Sequence, residues 1–168
     1  MDIISHGLYG GAGFAKKGKK VFWLAFLIGM MPDLMSFGIF WVDTLLGFHQ
    51  RPNWQAGPPA MSAIPGYVGA LYDFTHSLVI FSAVFLVVWA IRKKPFWLLI
   101  PWGLHVMIDI PSHSSAFFPT PFLWPISSYH FEGIGWGNPT IFVPNVIILI
   151  AIYSVIFWKK RKKFRNIN

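Results

Sequence analysis

Thirteen of the 14 Lys and Arg residues fall in three short clusters, Lys16 to Lys20, Arg92 to Lys94 and Lys159 to Arg165, and each cluster abuts an apolar run. Basic residues that flank apolar segments are retained on the cytoplasmic side of a bilayer, so this spacing reads as a topology signal. The chain is 55 % hydrophobic and only 12 % charged, against roughly 25 % charged in soluble domains. Its 17 Phe and 9 Trp suit lipid-facing surfaces and aromatic belts. A net charge of +8 could suggest nucleic acid. Clusters at segment ends without interleaved aromatics argue against that partner. At 168 residues the chain has room for a single domain.

The clusters divide the chain into four expected spans: residues 21–46, 70–91, 95–110 and 140–158. Residues 2–15 precede them as a short helix that rises only ~21 Å, less than the ~30 Å hydrocarbon core, and so is inserted from one side or interfacial. Its Gly7 and Gly11 form a small-xxx-small face for close helix approach. Spans two and three make a tight hairpin at Lys94. Residues 47–69 and 111–139, rich in Pro and Gly, are extracytoplasmic loops, the first with Trp54 and Tyr67 at the interface. The basic clusters and the tail 159–168 are cytoplasmic. No basic n-region or cleavage site precedes Lys16, so no signal peptide is read. The expected fold is an all-α polytopic membrane helix bundle, with about four transmembrane helices plus the short N-terminal helix.

Inside these oily segments lie ionisable residues, which are costly in a membrane and usually functional. His105 and Asp109 are four apart, on one helix face, as two ligands of one metal ion would be. Pro111 should end or kink that helix, with His113 just past the break. Pro32 should kink the first span, leaving Asp33 inside it. Asp73 and His76 are three apart at the start of the second span. Counted from the nearest basic cluster, His6 and His105 lie ~15 Å deep, Asp33 and Asp109 ~20 Å, and His76 and Asp73 ~24–28 Å. Six polar residues thus share one layer in the middle to outer membrane. For each a plainer role stays open: Asp33 as a cap of a broken helix, Asp73 as an N-cap, His113 as an interfacial loop residue. Asp43 reads as solvated, His49 and His130 as loop residues. Glu132, the sole Glu, sits in a loop able to fold over the site.

The chain has no Cys, which excludes disulfides and thiolate ligation. Imidazoles with carboxylates suit a divalent first-row metal, zinc foremost, with manganese or iron as alternatives. Such an ion can bring the pKa of bound water to about 7 and polarise an acyl or phosphoryl oxygen. A spare carboxylate nearby can take the proton.

His6, Pro32-Asp33, Thr75-His76-Ser77 and His105-x-x-x-Asp109, followed by Phe122-Leu-Trp-Pro-Ile-Ser127, resemble in order the YdjM-like membrane-bound metal-dependent hydrolases, over roughly residues 1–130. The His-x-x-x-Asp pattern is more distantly similar to the metal motif of zinc-dependent phospholipases C. The resemblance implies a bacterial or archaeal inner-membrane protein with a metal site. The chain departs from that pattern in two places. Met35 stands where the family often has a second Asp, and Leu71 where it often has His. Asp73 and His113 are the nearest substitutes.

The reading that follows is a metal-dependent hydrolase acting on a lipid-like ester or phosphoester, membrane lipids being its expected partners. Its expected metal ligands are His6, Asp33, His76, His105, Asp109 and His113, with Asp73 and Asp33 as catalytic carboxylates. A metal or ion transporter and a non-catalytic scaffold held by its polar residues are the alternatives.

Overall fold

Two side chains set where helices begin. Asp2 accepts from Ser5 N at 2.9 Å and opens α1, Ile3–Gly13. Ser77, in an extended conformation, accepts from Val79 N and Ile80 N and opens α5, Leu78–Arg92. The structure, a computed structural model, describes residues 1–53, 55 and 57–165, without the side chains of Lys163 and Phe164. Trp54, expected at the interface, lies outside the described residues, as do the last three positions of the basic tail.

The first expected span exists. It comprises α2, Lys19–Asp33, a π-helical turn, Leu34–Gly38, and α3, Ile39–Leu45. Pro32 lacks the N–H of a normal helical residue. The wider turn follows directly, and Ser36 Oγ donates to Pro32 O at 3.1 Å. Lys19–Leu45 has a mean hydropathy of 1.6 and α7, Pro139–Arg165, reaches 2.4 over Pro139–Lys162. These two are long and apolar enough to cross a membrane.

The other two expected spans are built differently. The second is broken into α4, Gly66–Thr75, and α5, bent by 56° at His76 and Ser77. The α4 ladder closes with His76 N donating to Tyr72 O at 2.8 Å, and the Ser77 hydroxyl starts the next. Counted as one broken span, the pair makes a third crossing. The segment 95–110 gives a 3-10 turn, Trp97–Leu99, and α6, Ile100–Ser112. Its 13 residues rise only ~20 Å, so α6 does not cross the hydrocarbon core by its own length. Pro111 falls in its last turn, and His113 follows in extended conformation, just past the helix end as expected. The loops are also shorter in coil than anticipated: Met61–Ala63 is a 3-10 turn and α4 begins at Gly66.

Packing runs on small residues. A Cβ on Gly7 would stand 2.8 Å from the Phe26 ring, and one on Gly11 2.7 Å from the Phe22 ring. Both rings of α2 therefore lie flat on the Gly7–Gly11 face of α1. The backbones come closest at Gly29, where an added Cβ would meet His6 O at 2.6 Å. On its other side α1 is tied to α7. Tyr9 Oη donates to Asn145 Oδ1 (2.9 Å), Asn145 Nδ2 to Ser5 Oγ (2.8 Å), and Tyr153 Oη to Leu8 O (2.9 Å). An apolar core of Phe40, Ile64, Val68, Tyr72 and Phe118 joins α3, α4 and the loop after α6.

The outer faces are apolar. Leu24, Leu27, Leu86, Ile91, Ile147 and Ile150 are each at least half exposed, and α5 has no buried residue. The buried set includes four His and two Asp. Polar inside and apolar outside is the arrangement demanded by a hydrocarbon solvent.

Gly29→Ala is expected to destabilise the protein by about 1–3 kcal/mol through overpacking against the His6 carbonyl. Gly13→Ala, where an added Cβ meets nothing within 4 Å, should be neutral or slightly stabilising. Thermal unfolding of both variants in the same detergent checks the contrast.

Candidate metal centre

Four residues from three parts of the chain form one cluster. Asp33 ends α2, His76 stands at the α4–α5 break, and His105 and Asp109 are one turn apart on α6. One ligand atom from each lies within 4.8 Å of every other. His105 Nε2 is 3.1 Å from Asp109 Oδ2, and His76 Nε2 is 3.4 Å from Asp33 Oδ1. Three of the four are fully buried, and the Asp33 side chain is 13 % exposed.

The tautomers follow from the other ring nitrogens. His105 Nδ1 is 2.6 Å from Gly29 O, and His76 Nδ1 is 3.1 Å from Tyr72 O. A carbonyl can only accept, so both Nδ1 atoms carry the proton and donate. Both Nε2 atoms are then bare lone pairs, and they face each other at 3.1 Å. Beside them Asp109 Oδ2 is buried with no hydrogen-bond donor. Two lone pairs and an unsatisfied carboxylate oxygen repel one another unless a positive charge stands among them. A histidine whose far nitrogen donates to a backbone carbonyl is the usual way a protein aims an imidazole at a metal. The donor set therefore fits a divalent cation, and its borderline nitrogen and oxygen donors suit a first-row metal.

The second carboxylate oxygen of Asp109 serves a different circle. His6 Nε2 lies 2.9 Å from Oδ1, His113 Nε2 3.4 Å, and Ser112 Oγ donates to it at 3.4 Å. The Met1 amino group also contacts this oxygen and lies 3.0 Å from His113 Nε2. His113 Nδ1 donates to Phe118 O at 2.9 Å, which turns its Nε2 inward. His6 stacks on His105 with ring centroids 3.5 Å apart. Asp109 thus links the four-residue group to His6 and His113, which stand around its far side. Asp73, on α4, is half-buried and outside this assembly. Ser77, not Asp73, is the N-cap of α5.

The remaining loop residues have local partners. The Glu132 carboxylate accepts from Ser115 N, with both oxygens at 3.1 Å. Asp43 accepts from Tyr67 Oη at 2.5 Å and lies 3.7 Å from His49 Nδ1. His130 is exposed.

Several supporting residues carry no signal of the metal-ligand kind. Tyr72 stacks on His76 at 3.7 Å and donates to Phe118 O at 3.0 Å. Trp102 Nε1 donates to Thr75 O at 2.6 Å, pinning the chain beside His76. Tyr72 lies four residues before His76, so helical spacing could have found it. The Gly29 carbonyl, which orients His105, has no side chain to betray it. The Phe122–Ser127 stretch also has its place: Leu78 N donates to Phe122 O at 3.0 Å and Ser77 Oγ to Trp124 O. That loop clamps the bend that presents His76.

Comparisons with protein-family models, with curated proteins and with solved structures found no match to this chain.

The protein purified in detergent without chelators is expected to carry near-stoichiometric divalent metal, lost in the His105→Ala/Asp109→Ala double variant, as read by plasma mass spectrometry. Adding metal at about 100 times its dissociation constant should stabilise the native protein by about 2.7 kcal/mol and leave the variant's unfolding midpoint unmoved.

Proposed function

We propose that this protein is a metal-dependent hydrolase of a prokaryotic inner membrane, acting on an uncharged lipid-like carboxylic ester. The observation that carries the reading is the convergence of two bare imidazole nitrogens and a donor-less carboxylate oxygen, buried directly behind Asp33, which lines a large cavity. That cavity, of about 1090 Å³, is walled by Leu34, Phe37, Trp41 and Trp136, and Asp33 and His113 reach its surface. Asp33 thus belongs both to the ligand group and to the cavity wall.

His76, His105, Asp33 and Asp109 would hold the metal, zinc being the best match to two imidazoles and two carboxylates. When bound, the ion supplies Lewis acidity for an ester carbonyl and eases deprotonation of water. The chain's own residues do the rest. The aromatic and aliphatic wall takes the hydrocarbon part of the substrate and excludes bulk water. Asp33 turns Oδ1 to the two histidines and keeps Oδ2 to accept the proton of the attacking water. Tyr72 and the Gly29 carbonyl hold the two imidazoles in place.

The wall also favours an ester over a phosphodiester. Among the described residues lining the cavity there is no Lys or Arg, while Asp2 and Asp33 are acidic. The wall thus offers a phosphodiester no Lys or Arg side chain to pair with its charge, which a neutral ester does not require. A transporter reading is weaker, because the polar interior is one-sided. In the halves of the helices next to the basic clusters, the buried residues are Ala25, Trp102, Leu149 and small or Pro residues.

The resemblance to the YdjM-like hydrolases supports the membrane and metal parts of this reading, and the positive-inside spacing would place the basic clusters and the tail in the cytoplasm.

Zinc-loaded protein in mixed micelles is expected to hydrolyse a fluorogenic long-chain acyl ester in a chelator-sensitive way. Asp33→Asn should lower the rate at least about a hundredfold, as loss of a general base does, while the protein keeps its unfolding profile. Activity that survives His105→Ala or Asp109→Ala in folded protein would sink the proposal. Turnover of the phosphodiester analogue alone would keep the metal chemistry and reject the ester preference.

A further inference from the structure

A second cavity lies at the other ends of α1, α2 and α7 from the metal centre, and shares no lining residue with it. It has a volume of about 960 Å³ and is formed where the α1–α2 turn meets the C-terminal half of α7. Lys16 and Lys19 line it from the turn, and Lys159 and Lys160 from α7. Gly18, at φ 98°, makes the reversal that sets Lys16 and Lys19 on one wall. None of the four ammonium groups has an ion-pair or hydrogen-bond partner among the described residues, and no carboxylate lines the cavity. Four unpaired like charges around one hollow repel one another, and an anion placed among them removes that cost. The α2 N-terminus at Gly18 has no side-chain cap, so its first amide groups add to the positive field.

The rest of the wall is hydrocarbon. Phe22 and Trp23 of α2 face Ile156 and Phe157 of α7 across the hollow. Tyr153 also lines it, with its hydroxyl already given to Leu8 O. A free inorganic anion would use the lysines and leave this apolar wall empty. A ligand with an anionic head and a hydrocarbon chain uses both. Both helices are long and apolar enough to span a membrane, and the cavity sits at their basic ends, at headgroup level. Basic pockets between helices at that level are where anionic headgroups dock.

We propose that this cavity is a binding site for an anionic phospholipid of the surrounding bilayer, its phosphate among Lys16, Lys19, Lys159 and Lys160 and one acyl chain against Phe22 and Trp23. The proposal rests on the membrane reading and is independent of the metal chemistry. The bound lipid bridges α7 to the α1–α2 hairpin, and α1 carries His6.

The test uses the full chain in nanodiscs and in detergent, with phosphatidylglycerol and phosphatidylcholine as probes. Native mass spectrometry is expected to show one phosphatidylglycerol retained about tenfold or more over phosphatidylcholine, the effect of one to two lysine–headgroup contacts at about 1 kcal/mol each. Lys19→Gln/Lys160→Gln should abolish that preference. Lys93→Gln/Lys94→Gln, which removes the same charge from another cluster, should change it less than about twofold. Millimolar inorganic phosphate should not displace the lipid. Phosphatidylglycerol brominated on its acyl chain should quench fluorescence in native protein, and less in Trp23→Phe. Equal loss in the two lysine variants, displacement by phosphate, or quenching indifferent to Trp23 would each overturn the site. Protein that stays soluble without detergent and fails to enter nanodiscs would overturn the membrane reading itself, whereas protein that enters nanodiscs but shows no headgroup preference overturns only the lipid site.

Discussion

Two imidazole nitrogens facing each other at 3.1 Å organise this molecule. Neither can turn away, because each ring has given its only proton to a backbone carbonyl, Gly29 O or Tyr72 O. Those carbonyls belong to α2 and α4. The orientation of each ring therefore depends on helices other than, or broken next to, its own. Asp109 adds a buried carboxylate whose Oδ1 is met by the Met1 amino group and His6 while its Oδ2 has no donor, and an unsatisfied buried acceptor is costly. The surrounding packing must hold this polar group closed against its own repulsion, or a cation must complete it.

The packing that does so is made largely of residues without bulk. Gly29 lets the His6 carbonyl approach, and the same residue's own carbonyl orients His105. Gly7 and Gly11 let the rings of Phe26 and Phe22 close over α1. Small residues at crossings allow backbone-level contact where no hydrophobic effect drives helices together, which is the situation in lipid. The π-helical turn after Pro32 is part of the same economy. It shifts the helical register directly after Asp33, and such turns recur at functional sites. The break at Ser77 does for His76 what Pro32 does for Asp33: a helix is interrupted beside a side chain of the buried cluster.

The His105–Asp109 pair was legible because both residues ride one straight helix, where spacing alone dictates the face. Asp33 and His76 were legible as buried polar residues near helix breaks, from Pro32 and from depth. His6 and His113 were expected as further metal ligands, and they stand outside the four-residue group. Their meeting with Asp109 Oδ1, rather than with the atoms of the four-residue group, depends on how α1 and the loop after α6 approach α6. Asp73 shows the limit of the depth argument: it shares the layer with His76 but stands outside the assembly, since three residues along a helix ending at a bend do not remain on one face. Of the four expected spans only two are single helices long and apolar enough to cross, for a related reason. Hydropathy measures how oily a segment is and not whether its hydrogen-bond ladder is continuous, so 70–91 reads as one span although Ser77 divides it.

By itself the sequence pointed to the solvent and to the types of donor. Apolar segments bounded by lysine and arginine suit a hydrocarbon medium, and a chain with six His, few carboxylates and no Cys can offer a metal no thiolate. The tertiary structure decided which of those donors meet. That choice rests on backbone carbonyls, glycine contacts and helix breaks, which act between segments distant in the chain and leave no local pattern of residue types to read.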